Sequence, residues 1–228
     1  MAADSRIILA LDSTKIDRCA ALISSTTESI AIYKVGLEFY LKHGAAGVNL
    51  LRSKAPGVRI FLDLKLHDIP NTVSGAARSV ADLAPEILTV HASGGTEMIG
   101  AAIKALPNTK IAAVTALTSL SEKQTEALFD KSPTELVIQL AQGALTAGAP
   151  ALVASPQELH LLRATFGASP ILITPGIRDQ VGPSDDQNRT LSAPAAIAAG
   201  ANYLVIGRPI TAAADPAAAA ANFHAATR

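Results

Sequence analysis

The stretch "FLDLKLHDIPNTV", residues 61–73, alternates apolar and charged side chains with a period of two. Successive side chains on a β-strand point to opposite faces, so Asp63 and Lys65 share one face while Leu62, Leu64 and Leu66 occupy the other. A buried charge is costly unless paired. Two carboxylates, Asp63 and Asp68, around the single ammonium of Lys65 are therefore either a structural ion pair at a strand end or a site.

Outward from this strand, short runs rich in valine, isoleucine and leucine recur at 6–12, 30–36, 59–65, 87–92, 110–117, 150–155, 170–176 and 203–208. Longer alanine-rich stretches with helical spacing separate them, which is the pattern of βα units. Eight such units in 228 residues predict a single α/β domain over residues 1–228, a closed (β/α)8 TIM barrel rather than an open doubly wound sheet. Helix starts are expected at Ser121, at Ser155 with Pro156 and Glu158, and at Asp215 with Pro216. The segment 119–148 is too long for one crossover, and "DKSP" at 130–133 divides it into two helices. The polar stretch "RDQVGPSDDQNR", 178–189, reads as a lid or a mobile loop after the seventh strand.

Nineteen lysines and arginines balance nineteen aspartates and glutamates, so no global field recruits nucleic acid or an anionic membrane, and neither is expected as a partner. With 49% hydrophobic and only 17% charged residues, the strands should be buried on both faces. The lone Cys19 can form no internal disulfide and offers no zinc spacing. The start lacks a basic region followed by a long apolar stretch, and no apolar run is long enough to span a bilayer, so a cytoplasmic location is expected.

In a barrel of this class the active site lies at the carboxyl ends of the strands. Asp12, Lys34, Asp63, Lys65, His91, Thr115, Thr118 and Arg208 all fall at or just past such ends. Strand alternation groups Ile8, Ala10 and Asp12 on one face, and Ile30, Ile32 and Lys34 likewise, so several charged tips can converge. Two lysines and two or three carboxylates in one mouth form a nearly neutral array that keeps both lysines cationic. The loops after strands seven and eight, where this fold commonly holds phosphate, read "TPGIR" and "IGRP". Gly176 and Gly207 would let backbone N–H groups approach an anion, and Arg208 offers a bidentate fork.

Asp12, Lys34, "DLKLHDIPNT", "TPGIR" and "VIGRP", in this order, resemble the orotidine 5′-phosphate decarboxylase family in its short bacterial or archaeal form, over essentially the whole chain. The resemblance implies conversion of a nucleotide substrate, orotidine 5′-phosphate, to UMP in the last step of de novo pyrimidine synthesis, with no cofactor and no metal. It implies an alternating array of Lys34, Asp63, Lys65 and Asp68, in which Lys65 protonates C6 and Asp63 lies against the departing carboxylate. It further implies that Asp12 and Lys34 hold ribose hydroxyls, Thr118 meets the pyrimidine amide, and Gly207 and Arg208 bind phosphate. Pro175 and Ile177 would shape the base and phosphate pocket, with Gln180 bridging the two from the lid. Asp68 and Thr72 would reach into a neighbouring subunit, which implies a homodimer with shared active sites.

Two features depart from the family's pattern: Asp179 stands where proline is usual and Val181 where glycine is usual, leaving Gln187 and Arg189 as competing lid contacts. His67 and His91 have no essential proton-transfer role in this scheme. One alternative is a magnesium-dependent sugar-phosphate decarboxylase or aldolase, such as 3-keto-gulonate 6-phosphate decarboxylase or hexulose-phosphate synthase, which share the Asp-x-Lys-x-x-Asp strand. Lys34 opposes it, because an ammonium there repels a divalent ion and Glu38 is the only nearby carboxylate candidate. The other alternative is a non-catalytic nucleotide-binding barrel.

Overall fold

The computed structural model describes residues 4–178 and 190–228. Eight parallel strands, β1 (Ile7–Ala10), β2 (Ile32–Gly36), β3 (Ile60–Leu66), β4 (Ile87–His91), β5 (Lys110–Val114), β6 (Ala151–Val153), β7 (Ile171–Thr174) and β8 (Tyr203–Ile206), close in sequence order. All eight expected strands are present, seven within the predicted run and β3 extending one residue past it, to Leu66. Between them lie α1 (Ile16–Thr26), α2 (Leu37–Lys54), α3 (Pro70–Ser79) and α4 (Gly95–Ala105). The second half carries α5 (Glu122–Phe129), α6 (Pro133–Thr146), α7 (Leu159–Phe166), α8 (Ala193–Ala198), α9 (Arg208–Thr211) and α10 (Pro216–Ala225). None of the described helices is long and apolar enough to cross a membrane.

Local chemistry explains the helix boundaries. Ser121 and Ser132 each close a capping box, with Gln124 and Glu135 reaching back to the cap, so 119–148 does hold two helices. Between them Asp130 adopts a left-handed conformation (φ 53°) and ends α5. Ser155 and Glu158 form the third box at the turn before α7. Asp215 Oδ1 accepts the N–H groups of Ala217 and Ala218 at 2.9 and 3.0 Å, capping α10. The long α2 is broken at Gly44, whose φ of 59° only glycine adopts without strain.

Two apolar layers hold the barrel. Outward-facing strand residues pack beneath the helices, with Phe39, Leu51, Met98 and Phe223 among the buried contributors. Inside the barrel, Ile8, Ile32, Phe61, Ile87 and Ile173 form a plug with the small Ala112 and Ala151, so large side chains on one half are matched by alanines on the other. One step further toward the carboxyl ends the two-residue period exposes Ala10, Lys34, Asp63, Thr89, Val114 and Val153 to the barrel axis. The dry plug thus forms a floor, and the first layer above it is polar on β2–β4 and apolar on β1, β5 and β6.

The α10 cap gives a direct check on this fold. Asp215→Ala should lower stability by about 1 kcal/mol, read as a shifted denaturation midpoint with an unchanged slope; a midpoint equal to wild type would show the cap to be energetically idle.

Candidate active site

Strand β3, which carries Asp63 and Lys65, is not regular. It pairs with β4 through Phe61 opposite Ile87 and Leu62 opposite Leu88, and pairing resumes only at Leu66 opposite Val90. Asp63, Leu64 and Lys65 therefore bulge against the single residue Thr89. Lys65 lies in the left-handed region at φ 47°, a conformation that costs a non-glycine residue roughly 1–3 kcal/mol. The bulge re-aims Lys65 while keeping Leu62 and Leu64 buried in the outer layer, so the predicted division into a charged and an apolar face holds by a different route.

The charged side chains form one connected row. Lys34 Nζ lies 3.6 Å from Asp12 Oδ1 and 3.3 Å from Asp63 Oδ2. Lys65 Nζ donates to Asp63 Oδ1 at 2.7 Å. The order is Asp12, Lys34, Asp63, Lys65, alternating in sign. The row is wet at one end and dry in the middle: the side chain of Asp12 is 58% exposed, those of Lys34 and Asp63 only 13%. Burial alone would raise the pKa of Asp63, but the ammoniums of Lys34 and Lys65 and the hydrogen bonds from Lys65 and Thr89 outweigh it and hold the carboxyl below its ordinary value.

This row borders a cavity of about 280 Å³ at the carboxyl ends of the strands. Asp12, Lys34, Asp63, Lys65, Thr118, Pro175, Gly207 and Arg208 all line it, as their positions in the sequence predict. Phe61, Val114, Val153 and Val205 add an apolar wall, and Gly176 (φ 78°) turns the backbone at its rim. Gly207 is crowded in a way the sequence does not announce: a Cβ there would come within 3.1 Å of Asp12 Oδ2, so the Asp12 carboxylate would have to shift.

Other expected site residues lie elsewhere. Asp68 is exposed, accepts the neighbouring Ile69 N–H at 2.7 Å and does not line this cavity; neither does the exposed Thr72. Within this chain the carboxylate that completes the alternation is Asp12. Ile177 is fully buried in the outer core rather than on the cavity wall. Thr115 donates to the Val153 carbonyl at 3.2 Å, a tie between strands. Gln180, its competitors Gln187 and Arg189, and the departures at Asp179 and Val181 lie outside the described residues. Glu38 borders a neighbouring cleft on the other side of the row, not the main cavity.

Two residues escaped the sequence reading. Arg178 lines the cavity with Arg208, and its signal is the last letter of "TPGIR", two residues after the rim glycine. Thr89 bridges Lys65 and Asp63, and its signal was a lone hydroxyl inside "ILTV", two residues before His91 and so on the inward face. The rings of His91 and His67 lie 5.4 Å apart, tilted by 43°. Burial, then the neighbouring His67 and Lys65, lowers the His91 pKa against the pull of Asp63, which favours a neutral ring.

Residues 5–223 match the family described as orotidine 5′-phosphate decarboxylase / HUMPS family. The orotidine 5′-phosphate decarboxylase of Thermobifida fusca is 51% identical over 216 residues, 94% of this chain and 92% of that one. That of Anaeromyxobacter dehalogenans is 42% identical over 222 residues, covering 96% and 97%. The crystal structure of orotidine 5′-phosphate decarboxylase from Lactobacillus acidophilus aligns with a TM-score of 0.86 at 33% identity, over 99% of this chain and 100% of that one.

The ionisation of Asp63 is a measurable signature of the row. Its folded pKa lies below the value of about 4 for a free aspartate. Its stabilisation is therefore complete above about pH 4 and is lost as pH falls through the lower folded value. Carboxyl ¹³C NMR should give a midpoint for Asp63 below that of free aspartate, and the stability gap between wild type and Asp63→Asn should narrow as the solution is acidified through that midpoint. A midpoint at or above about 4 would contradict the described pairing.

Proposed function

The chain belongs to the orotidine 5′-phosphate decarboxylase / HUMPS family, and we propose that residues 1–228 form one cytoplasmic catalytic domain that converts orotidine 5′-phosphate to UMP without metal or cofactor. The observation that carries this reading is the row itself: a cationic Lys65 held at 2.7 Å by an ionised Asp63, at the edge of the barrel-mouth cavity.

Loss of carbon dioxide breaks the bond between C6 and its carboxylate and leaves the electron pair on a ring carbon that delocalises it poorly. Stabilisation must therefore appear as that charge develops. The Lys65 ammonium supplies it and then donates its proton to C6, forming the new C–H bond; solvent reprotonates the amine. Asp63 keeps the Lys65 ammonium aimed, and sets a fixed negative charge beside the carboxylate that leaves. Asp12 and Lys34 are suited to ribose hydroxyls, Thr118 and Pro175 to the pyrimidine, and the apolar wall of Phe61, Val114 and Val153 to its face. Arg208 and Arg178, with the close backbone approach allowed at Gly176 and Gly207, suit the phosphate. Gln180 is kept as the lid contact that bridges base and phosphate, and Ile177 as a support behind the pocket.

The magnesium-dependent alternative fits less well. Lys34 lies between Asp12 and Asp63, so an ammonium occupies the place from which two carboxylates would chelate a divalent ion.

A homodimer with shared sites belongs to the same proposal. Asp68 and Thr72 stand outside their own chain's cavity, and apolar side chains near the starts of α2 and α3 are open, Leu41 at 80% and Ile69, next to Asp68, at 66% exposure. In a dimer these surfaces would be covered and Asp68 would complete the partner's row.

Two experiments follow. Lys65→Ala should lower kcat by about 10²–10⁴-fold or more, while binding of a UMP analogue, followed by calorimetry, persists; parallel loss of both would remove Lys65 from the chemical step. Mixing Lys65→Ala with Asp68→Ala protein should restore part of the activity, because hybrid dimers contain one intact shared site. No recovery, with subunit exchange verified by mass spectrometry, would return Asp68 to its own chain.

A further inference from the structure

The β3 bulge leaves the Lys65 backbone N–H without a partner carbonyl in the strand ladder, and an unpaired buried N–H is costly. Thr89, fully buried on β4, is the one residue opposite the bulge. Its Oγ1 accepts the Lys65 N–H at 2.9 Å and donates its own hydrogen to Asp63 Oδ1 at 3.0 Å. The same Asp63 oxygen accepts from Lys65 Nζ at 2.7 Å. The three contacts form a closed ring: backbone of Lys65, hydroxyl of Thr89, carboxylate of Asp63, ammonium of Lys65. A hydroxyl is suited to the junction because it accepts one hydrogen bond and donates another at a single atom.

We propose that Thr89 is a positioning residue, whose hydroxyl holds Lys65 in its left-handed backbone conformation and fixes the Asp63 oxygen that orients the Lys65 ammonium. It does not line the cavity; it acts through Asp63 and Lys65, which do. This inference rests on the decarboxylase reading for its kinetic consequence but on the hydrogen-bond ring alone for its structural one.

The test compares Thr89→Val, which keeps the shape and removes the hydroxyl, with Thr89→Ser, which keeps the hydroxyl. Steady-state kinetics with orotidine 5′-phosphate, hydrogen exchange at the Lys65 amide and thermal unfolding are measured for both. Thr89→Val should lose about tenfold or more in kcat with KM changed by less than about threefold, the pattern of an interaction felt mainly in the chemical step. The Lys65 amide should exchange faster in Thr89→Val than in wild type, and Thr89→Ser should recover most of both properties. A wild-type kcat in Thr89→Val, or a Thr89→Ser variant as slow as Thr89→Val, overturns the positioning role. So does a loss of activity that only tracks the fraction of unfolded protein. If wild-type protein leaves orotidine 5′-phosphate unchanged, the functional reading fails separately. The ring is then judged on exchange alone: a faster Lys65 amide in Thr89→Val supports it and an unchanged one overturns it.

Discussion

Asp63 sits between two ammoniums, 3.3 Å from Lys34 and 2.7 Å from Lys65, at a depth where a lone carboxylate would take up a proton. Much of the barrel mouth can be understood from keeping that group ionised. Lys34 and Lys65 have to reach Asp63 from adjacent strands: the β2–β3 register sets Lys34 opposite Phe61, two residues before Asp63, and the long Lys34 side chain still brings its ammonium to 3.3 Å. Thr89 has to take up the donor that the β3 bulge frees. The plug of Ile8, Ile32, Phe61 and Ile87 has to lie below the row, so that the charges open toward the cavity and the neighbouring cleft rather than into the barrel core.

Such an arrangement is a poor choice if stability were its only purpose. Replacing a buried ion pair by well-packed apolar residues is often neutral or stabilising, and the left-handed Lys65 adds backbone strain. Strain at Lys65 and the largely buried charge of Asp63 beside it, both facing a cavity, are the features expected where structure serves chemistry. Pre-set charge has a specific value for a reaction that builds negative charge on carbon: the stabilising group needs no reorganisation when that charge appears.

The barrel was legible because parallel strands buried on both faces are short, continuous and apolar, and all eight runs stand out from alanine-rich helices. The two helices after β5 were legible from Ser132 and Pro133, residues with a defined place at a helix start. In the site, Asp12, Lys34, Asp63 and Lys65 were found because strand alternation sends each toward the mouth. The bulge was not: a period of two looks the same whether or not Lys65 adopts a positive φ, and nothing in "DLK" announces it. Thr89 was missed because threonine is ordinary in a strand, and its role appears only across the strand pair. Asp68 could be placed beyond the strand but not in its chain's own cavity, since its proposed work lies between chains and spacing within one chain carries no distance to another. Ile177, next to the cavity-lining Gly176 and Arg178 in sequence, packs in the core instead, a distinction that spacing along the chain does not make.

The central claim is that the Asp12–Lys34–Asp63–Lys65 row decarboxylates its nucleotide with its own ammonium and no bound metal. The most direct measurement is the absorbance change on incubating purified wild-type protein with orotidine 5′-phosphate in excess chelator, with the product identified by mass spectrometry. The account predicts stoichiometric UMP at a rate equal to that without chelator. Unchanged substrate, or turnover that stops with chelator and returns with magnesium, would contradict it.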